Sequence, residues 1–139
     1  MQSGSSSVLL NKSFTLQQKI RWLALLFKTW RNHRMSKVAA AITTKTSAEN
    51  PVIIDIGANV GLFTKAFMKA PKTPKSIIAI EPSFYVFSIL LNITAKMPSV
   101  HCRKVALSHE TTTVDLKTPL KKSGSLRVGL SHIGNTDNQ

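Results

Sequence analysis

The sequence predicts an α/β fold built on a parallel sheet, with a ligand crevice at the carboxyl ends of the strands. Three observations carry this. A β-branched run broken only by Asp55, Val52 to Ile56, ends in a turn with glycines at 57 and 61, and helical periodicity opens at Leu62. A second apolar run, Ile77 to Ile80, ends in Glu81-Pro82. Strand, helix and strand within about 30 residues make a βαβ unit, and its strands are parallel.

Taken in order, residues 1–13 are polar, Ser-rich and expected to be disordered. Thr15-x-x-Gln18 has the form of a capping box, and Leu16, Ile20, Leu23, Phe27 and Trp30 then recur at helical spacing. Trp22 and Leu26 widen that apolar face, with Lys19, Arg21, Lys28, Arg31 and Arg34 around it. The result is an amphipathic basic helix. It is read first as a cover for one edge of the following domain, and second as a surface for an anionic membrane or a partner. A short helical piece over Val38 to Ile42 leads into a polar linker, Thr43 to Asn50, so residues 14–50 form a helical extension ahead of a domain at 51–139.

Val52 to Ile56 reads as a strand buried on both faces. Val60, Phe63, Phe67 and Ala70 follow at helical spacing, and Pro71 stops the helix. After Pro82 a helix is expected over Ser83 to Lys96, with Pro98 closing it. Val100 to Leu107 is a third strand, made less apolar by His101, Arg103 and Lys104, which suits an edge or a partly exposed position. Short β segments are expected at Thr111 to Lys117 and Ser125 to Ile133, before a polar tail, Gly134 to Gln139.

The chain has 139 residues, 42% of them hydrophobic, and a net charge of +13 from 19 Lys and Arg against 6 Asp and Glu. Such a field favours anionic partners, nucleic acid or anionic lipid among them. The single cysteine, Cys102, excludes an internal disulfide framework, and no paired Cys and His pattern suggests a metal site. No secretory signal or membrane-spanning run is read, so the expected setting is the cytoplasm, with peripheral membrane contact through residues 15–34 as the variant. Cys102 lies between His101 and Arg103, which could lower a thiol pKa; a small strand residue facing the core is the preferred reading.

The chemistry sits in Asp55-x-Gly57-x-Asn59-x-Gly61. Glycine lets the backbone take unusual torsions and approach a ligand closely, and the N–H groups opening the next helix can hold a carboxylate or phosphate. Asn59 also suits a helix N-cap. Glu81, 26 positions after Asp55, ends the second strand, where an acid can accept from both hydroxyls of a ribose. A dinucleotide fingerprint requires Gly-x-Gly-x-x-Gly, but counting from Gly57 the chain offers Asn59 and Leu62 at the glycine positions. S-adenosylmethionine fits better, because an acid beside open backbone N–H groups suits its amino-acid end, which carries both an ammonium and a carboxylate.

Val-Ile-Ile-Asp-Ile-Gly-Ala-Asn-Val-Gly-Leu-Phe-Thr, then Ile-Ile-Ala-Ile-Glu-Pro-Ser, then Val-Ala-Leu-Ser at 105–108, resemble the FkbM-type S-adenosylmethionine-dependent methyltransferases. The resemblance covers about Val52 to Ile133 and takes in Gly129-Leu130-Ser131-His132. It implies a class I, Rossmann-like sheet. Asp55, Gly57, Ala58, Asn59 and Gly61 would hold the methionine end of S-adenosylmethionine, with Glu81 and its neighbour Pro82 at the ribose. The implied acceptor is a hydroxyl on a sugar, polysaccharide or secondary metabolite, and no catalytic residue is assigned. His101, His109 and His132 are weighed as bases and read as structural.

Family members usually continue into a fourth strand with a Lys-x-Asp-x-Glu-Gly type sequence and further helices, whereas this chain ends at Gln139. An incomplete domain with weak cofactor binding and little turnover is the expectation. The alternative is a non-enzymatic basic module binding nucleic acid or anionic membrane through residues 15–34.

Overall fold

The computed structural model describes residues 14–113, 115–121 and 126, together with the backbone of 132–133. The expected disordered start (1–13), the tail from Gly134 and the Gly129-Leu130-Ser131 segment lie outside the described residues. In chain order the elements are α1 (Leu16–Arg31), α2 (Ser36–Lys45), β1 (Val52–Ile56), α3 (Leu62–Phe67), β2 (Ser76–Ile80), α4 (Phe84–Thr94), β3 (Val100–Arg103), β4 (Leu116–Lys117) and β5 (His132–Ile133). The fold is α/β. Strands β1, β2 and β3 form a parallel sheet in that order, with Asp55 opposite Ala79 and Ala79 opposite Cys102. The short pair β4 and β5 is antiparallel and separate.

The capping box forms as expected: Gln18 N donates to Thr15 Oγ1 (3.3 Å) and Thr15 N to Gln18 Oε1 (2.9 Å). α1 lies against α4 through Trp22, which packs with Tyr85, Val86 and Ile89. Trp22 Nε1 donates to Ser88 Oγ (2.7 Å), whose own proton goes to Tyr85 O, and Tyr85 Oη donates to Gln18 O (2.7 Å). The helix therefore covers α4, but with a different face from the one its strongest periodicity marks. Trp22 and Thr29 are buried, whereas Leu16, Ile20, Leu23, Phe27 and Trp30 are between 51% and 74% exposed.

α2 is longer than expected and takes in Thr43, which belongs to a buried helix face and not to a linker. Its hydroxyl donates to Ala39 O (3.0 Å), and Ala39 packs with Ala66, Phe67 and Ile77. α3 ends before Pro71, at Phe67, because Lys69 N and Ala70 N bond back three residues to Ala66 O and Phe67 O, tightening the last turn. Lys65 Nζ reaches across to α1 and donates to Thr29 O (2.6 Å) and Trp30 O (2.7 Å). A cation there satisfies carbonyls that end a helix and suits the negative end of its dipole. Burial, with Lys69 nearby, lowers the Lys65 pKa.

The two faces of β1 differ. Ile53 packs into the cluster of Ala39, Ala66, Phe67 and Ile77, while Val52, Ile54 and Ile56 on the opposite face are exposed. The expectation of burial on both faces fails because the described helices pack on one side only, α3 and α4 directly and α1 and α2 against them. β3 is shorter than expected, yet it is an edge strand, with His101 and Arg103 exposed. Cys102 faces the cluster of Ala58, Ala79 and Leu90. Burial raises its thiol pKa, against smaller opposite effects of the Thr94 hydrogen bond and Arg103. Of the expected strands at 111–117 and 125–133, only β4, β5 and a bridge between Leu120 and Leu126 are among the described residues.

Two outcomes follow from this packing. Trp22→Phe leaves Ser88 Oγ without its buried donor and costs about 1–3 kcal/mol, read as a lower urea midpoint at unchanged slope. Because the folded chain holds the Cys102 proton that the unfolded chain releases, this group's contribution to stability declines as pH rises past its ordinary value of 9.0. At pH 8, iodoacetamide accordingly alkylates Cys102 more slowly in the folded chain than in urea.

Candidate functional site

The crevice at the carboxyl ends of β1 and β2 is built by the turn Gly57–Gly61 and by Glu81. The turn bends sharply: Gly57 (φ 72°), Asn59 (φ 51°) and Gly61 (φ 84°) all lie in the left-handed region. Asparagine is among the few non-glycine residues that tolerate it. The two glycines serve different purposes. A Cβ on Gly61 would come within 2.8 Å of Leu90 Cδ1, so this glycine lets the turn sit against α4. A Cβ on Gly57 would meet no atom within 4 Å, so its bare backbone faces open space. That openness is what a closely approaching ligand needs.

The N–H groups of the turn are consumed by the protein. Gly57 N and Ala58 N both donate to Ile80 O (2.9 Å each), Asn59 N to Glu81 Oε2 (2.9 Å), Val60 N to Asn59 Oδ1 (2.8 Å) and Gly61 N to Ala58 O (2.8 Å). Asn59 thus braces the turn and is not the N-cap of α3; that position is Gly61. Glu81 is buried, and its other oxygen accepts from Ser83 N (2.8 Å) across Pro82. Asp55 Oδ2 accepts the Thr64 hydroxyl of α3 (2.5 Å). All seven residues singled out from the sequence, Asp55, Gly57, Ala58, Asn59, Gly61, Glu81 and Pro82, therefore lie at or beside one strand-end crevice. Thr64, which orients Asp55, is an addition; its place one turn into α3 is the only signal the sequence held.

What this arrangement offers a ligand is acceptors. Asp55 and Glu81 are two of only six acids in the chain, and an ionised carboxylate has about four acceptor sites, more than the internal bonds use. The histidines lie elsewhere: His101 is exposed on β3, His109 is exposed and 3.3 Å from Glu110, and the side chain of His132 is outside the described residues. Phe84, Tyr85 and Phe87 belong to α4, with Tyr85 in the core and Phe84 under the Lys104 ammonium (5.3 Å).

No family model matches the sequence, and no curated protein does either. Among solved structures the chain is similar to phosphoethanolamine N-methyltransferase 1 of Haemonchus contortus, in complex with phosphoethanolamine and S-adenosylhomocysteine (13% identity, TM-score 0.44). It is also similar to a candidate RNA methyltransferase from Pyrococcus horikoshii (16% identity, TM-score 0.45). Each likeness covers 73% of this chain, but only 24% of the first protein and 56% of the second.

The two glycines separate experimentally. Gly57→Ala costs about 1–2 kcal/mol, the left-handed penalty alone, whereas Gly61→Ala costs more because its methyl also meets Leu90. Urea midpoints of the two variants check the order.

Proposed function

We propose that this chain carries the cofactor-binding part of an S-adenosylmethionine-dependent methyltransferase. The polarity of the crevice carries the reading. The turn spends its five N–H groups internally, while two carboxylates converge on the strand ends. The N–H groups of the turn itself are thus not available to a pyrophosphate. S-adenosylmethionine brings one carboxylate, but also an ammonium, a sulfonium charge and two ribose hydroxyls, which are groups that seek acceptors.

In this reading Glu81 accepts from the ribose hydroxyls, with Pro82 beside it. Asp55 and the turn Gly57–Ala58–Asn59–Gly61 take the methionine end, and the bare backbone of Gly57 permits close approach. The bound sulfonium supplies an electrophilic methyl group. The chain's part is to hold the donor in line with an acceptor, a contribution of proximity and orientation. The finer assignment, an FkbM-type enzyme methylating a hydroxyl of a sugar, polysaccharide or secondary metabolite, is supported by the motif sequence at 52–64 and 77–83.

Isothermal titration with S-adenosylmethionine tests this. Saturable binding is expected, weakened at least tenfold by Gly57→Ala, whose packing is undisturbed, and abolished by Glu81→Ala. Because Glu81 also braces the turn, Glu81→Gln, which keeps an acceptor oxygen, is measured beside it and is expected to retain part of the binding, with circular dichroism checking the fold of each variant. Binding of a nicotinamide dinucleotide in place of S-adenosylmethionine would sink the proposal.

A further inference from the structure

α1 presents two apolar faces, and the fold uses one of them. Trp22 and Thr29 are buried, with Leu25 and Leu26 packed around Trp22. The stripe Leu16, Ile20, Leu23, Phe27 and Trp30 points away, each residue more than half exposed. Phe27 and Trp30 stack on one another (6.4 Å between ring centroids), and the Arg31 guanidinium sits 5.4 Å from the Phe27 ring. Along the helix Lys19 borders the stripe on one side, and Arg31 and Lys28 border it on the other. An outward stripe of this length on a water-facing helix is costly unless something covers it.

A groove of about 990 Å³ opens beside the stripe, between α1, α3 and the end of α4. Leu23, Phe27, Trp30 and Met97 contribute apolar walls, and Arg31 and Lys96 contribute charge. Among the described residues no acid lines it, and none of its residues belongs to the glycine-turn crevice. The charge distribution around it is extreme. The first 48 residues contain eight Lys and Arg and no Asp or Glu, Glu49 being the first acid of the chain.

From this we infer that the outward face of α1 and the adjoining groove dock the protein on an anionic phospholipid surface. The stripe lies along the interface with its rings and aliphatic chains among the acyl boundary, while Lys19, Lys28 and Arg31 meet the lipid phosphates and Lys96 reaches them from the groove. No helix among the described residues is long and apolar enough to cross a membrane, so the contact is parallel to the surface. A second copy is the poorer occupant, because it would bring another +13 chain against the same cationic borders. The inference is independent of the cofactor reading.

Trp30 is the built-in reporter, since it is 66% exposed while Trp22 is 2% exposed. Co-sedimentation of the full chain with phosphatidylcholine vesicles, with and without phosphatidylserine, is measured together with tryptophan emission. The expected result is sedimentation only with the anionic vesicles, weakened by rising salt, with a blue shift that Trp30→Phe removes. Both Leu23→Ser/Phe27→Ser, at exposed positions, and Lys28→Glu/Arg31→Glu reduce partitioning at least tenfold with circular dichroism unchanged. Equal partitioning of wild type and both double variants overturns the inference. So does failure to sediment with either vesicle, and so does a concentration-dependent dimer or an RNA complex that the Leu23→Ser/Phe27→Ser change disrupts while vesicle binding is absent.

Discussion

The buried carboxylate of Glu81 is the constraint on which the crevice depends. It ties the turn after β1 to the turn after β2, one oxygen accepting from Asn59 N and the other from Ser83 N. Such charge-assisted bonds are short and about twice as strong as neutral ones, and they hold three left-handed residues in a five-residue turn. An unpaired carboxylate at this depth would cost several kcal/mol. The geometry of the crevice and the local stability of its turn therefore rest on one side chain. Gly57 is left as the place where backbone is open without being needed for packing.

A second set of ties positions the helical layer. Lys65 of α3 closes the carbonyl end of α1, and Trp22 of α1 hydrogen-bonds into α4. Both are polar contacts within apolar surroundings, and they orient α1 as well as attach it. A helix carrying apolar residues on two faces can dock on either one. The indole N–H finds an acceptor in Ser88, and the last turn of α1 finds a lysine, only when the Trp22 face points inward. This choice leaves five large apolar side chains outside, bordered by cations.

The sheet shows the same one-sidedness. In a parallel sheet with helices on both faces, Val52, Ile54 and Ile56 would be core. Here the helices share the face of Ile53, Ile77 and Ala79, and β1 is at the edge of the order β1-β2-β3. The carboxyl ends of the strands are nevertheless fully formed, because the turn, Glu81 and the start of α3 draw on neighbouring strands and not on the far face.

By itself the sequence determined the βαβ periodicity, the capping box at Thr15 and Gln18, and the crevice residues from Asp55 to Pro82. Each of these depends on near neighbours in the chain or on side-chain types that few backbone conformations accept. The edge position of β3 was also legible, from His101 and Arg103. Only the tertiary structure decided which face of α1 is buried, since Trp22 and the Leu16–Trp30 stripe compete at the same helical period and the winner is set by Ser88 and Lys65, 66 and 35 residues distant from the groups they bond. It alone decided that three of the turn's N–H groups, those of Gly57, Ala58 and Asn59, are spent on Ile80 and Glu81, because those acceptors come from the end of the next strand. The donors of the turn itself are thereby withdrawn, and the carboxylates of Asp55 and Glu81 stand beside it.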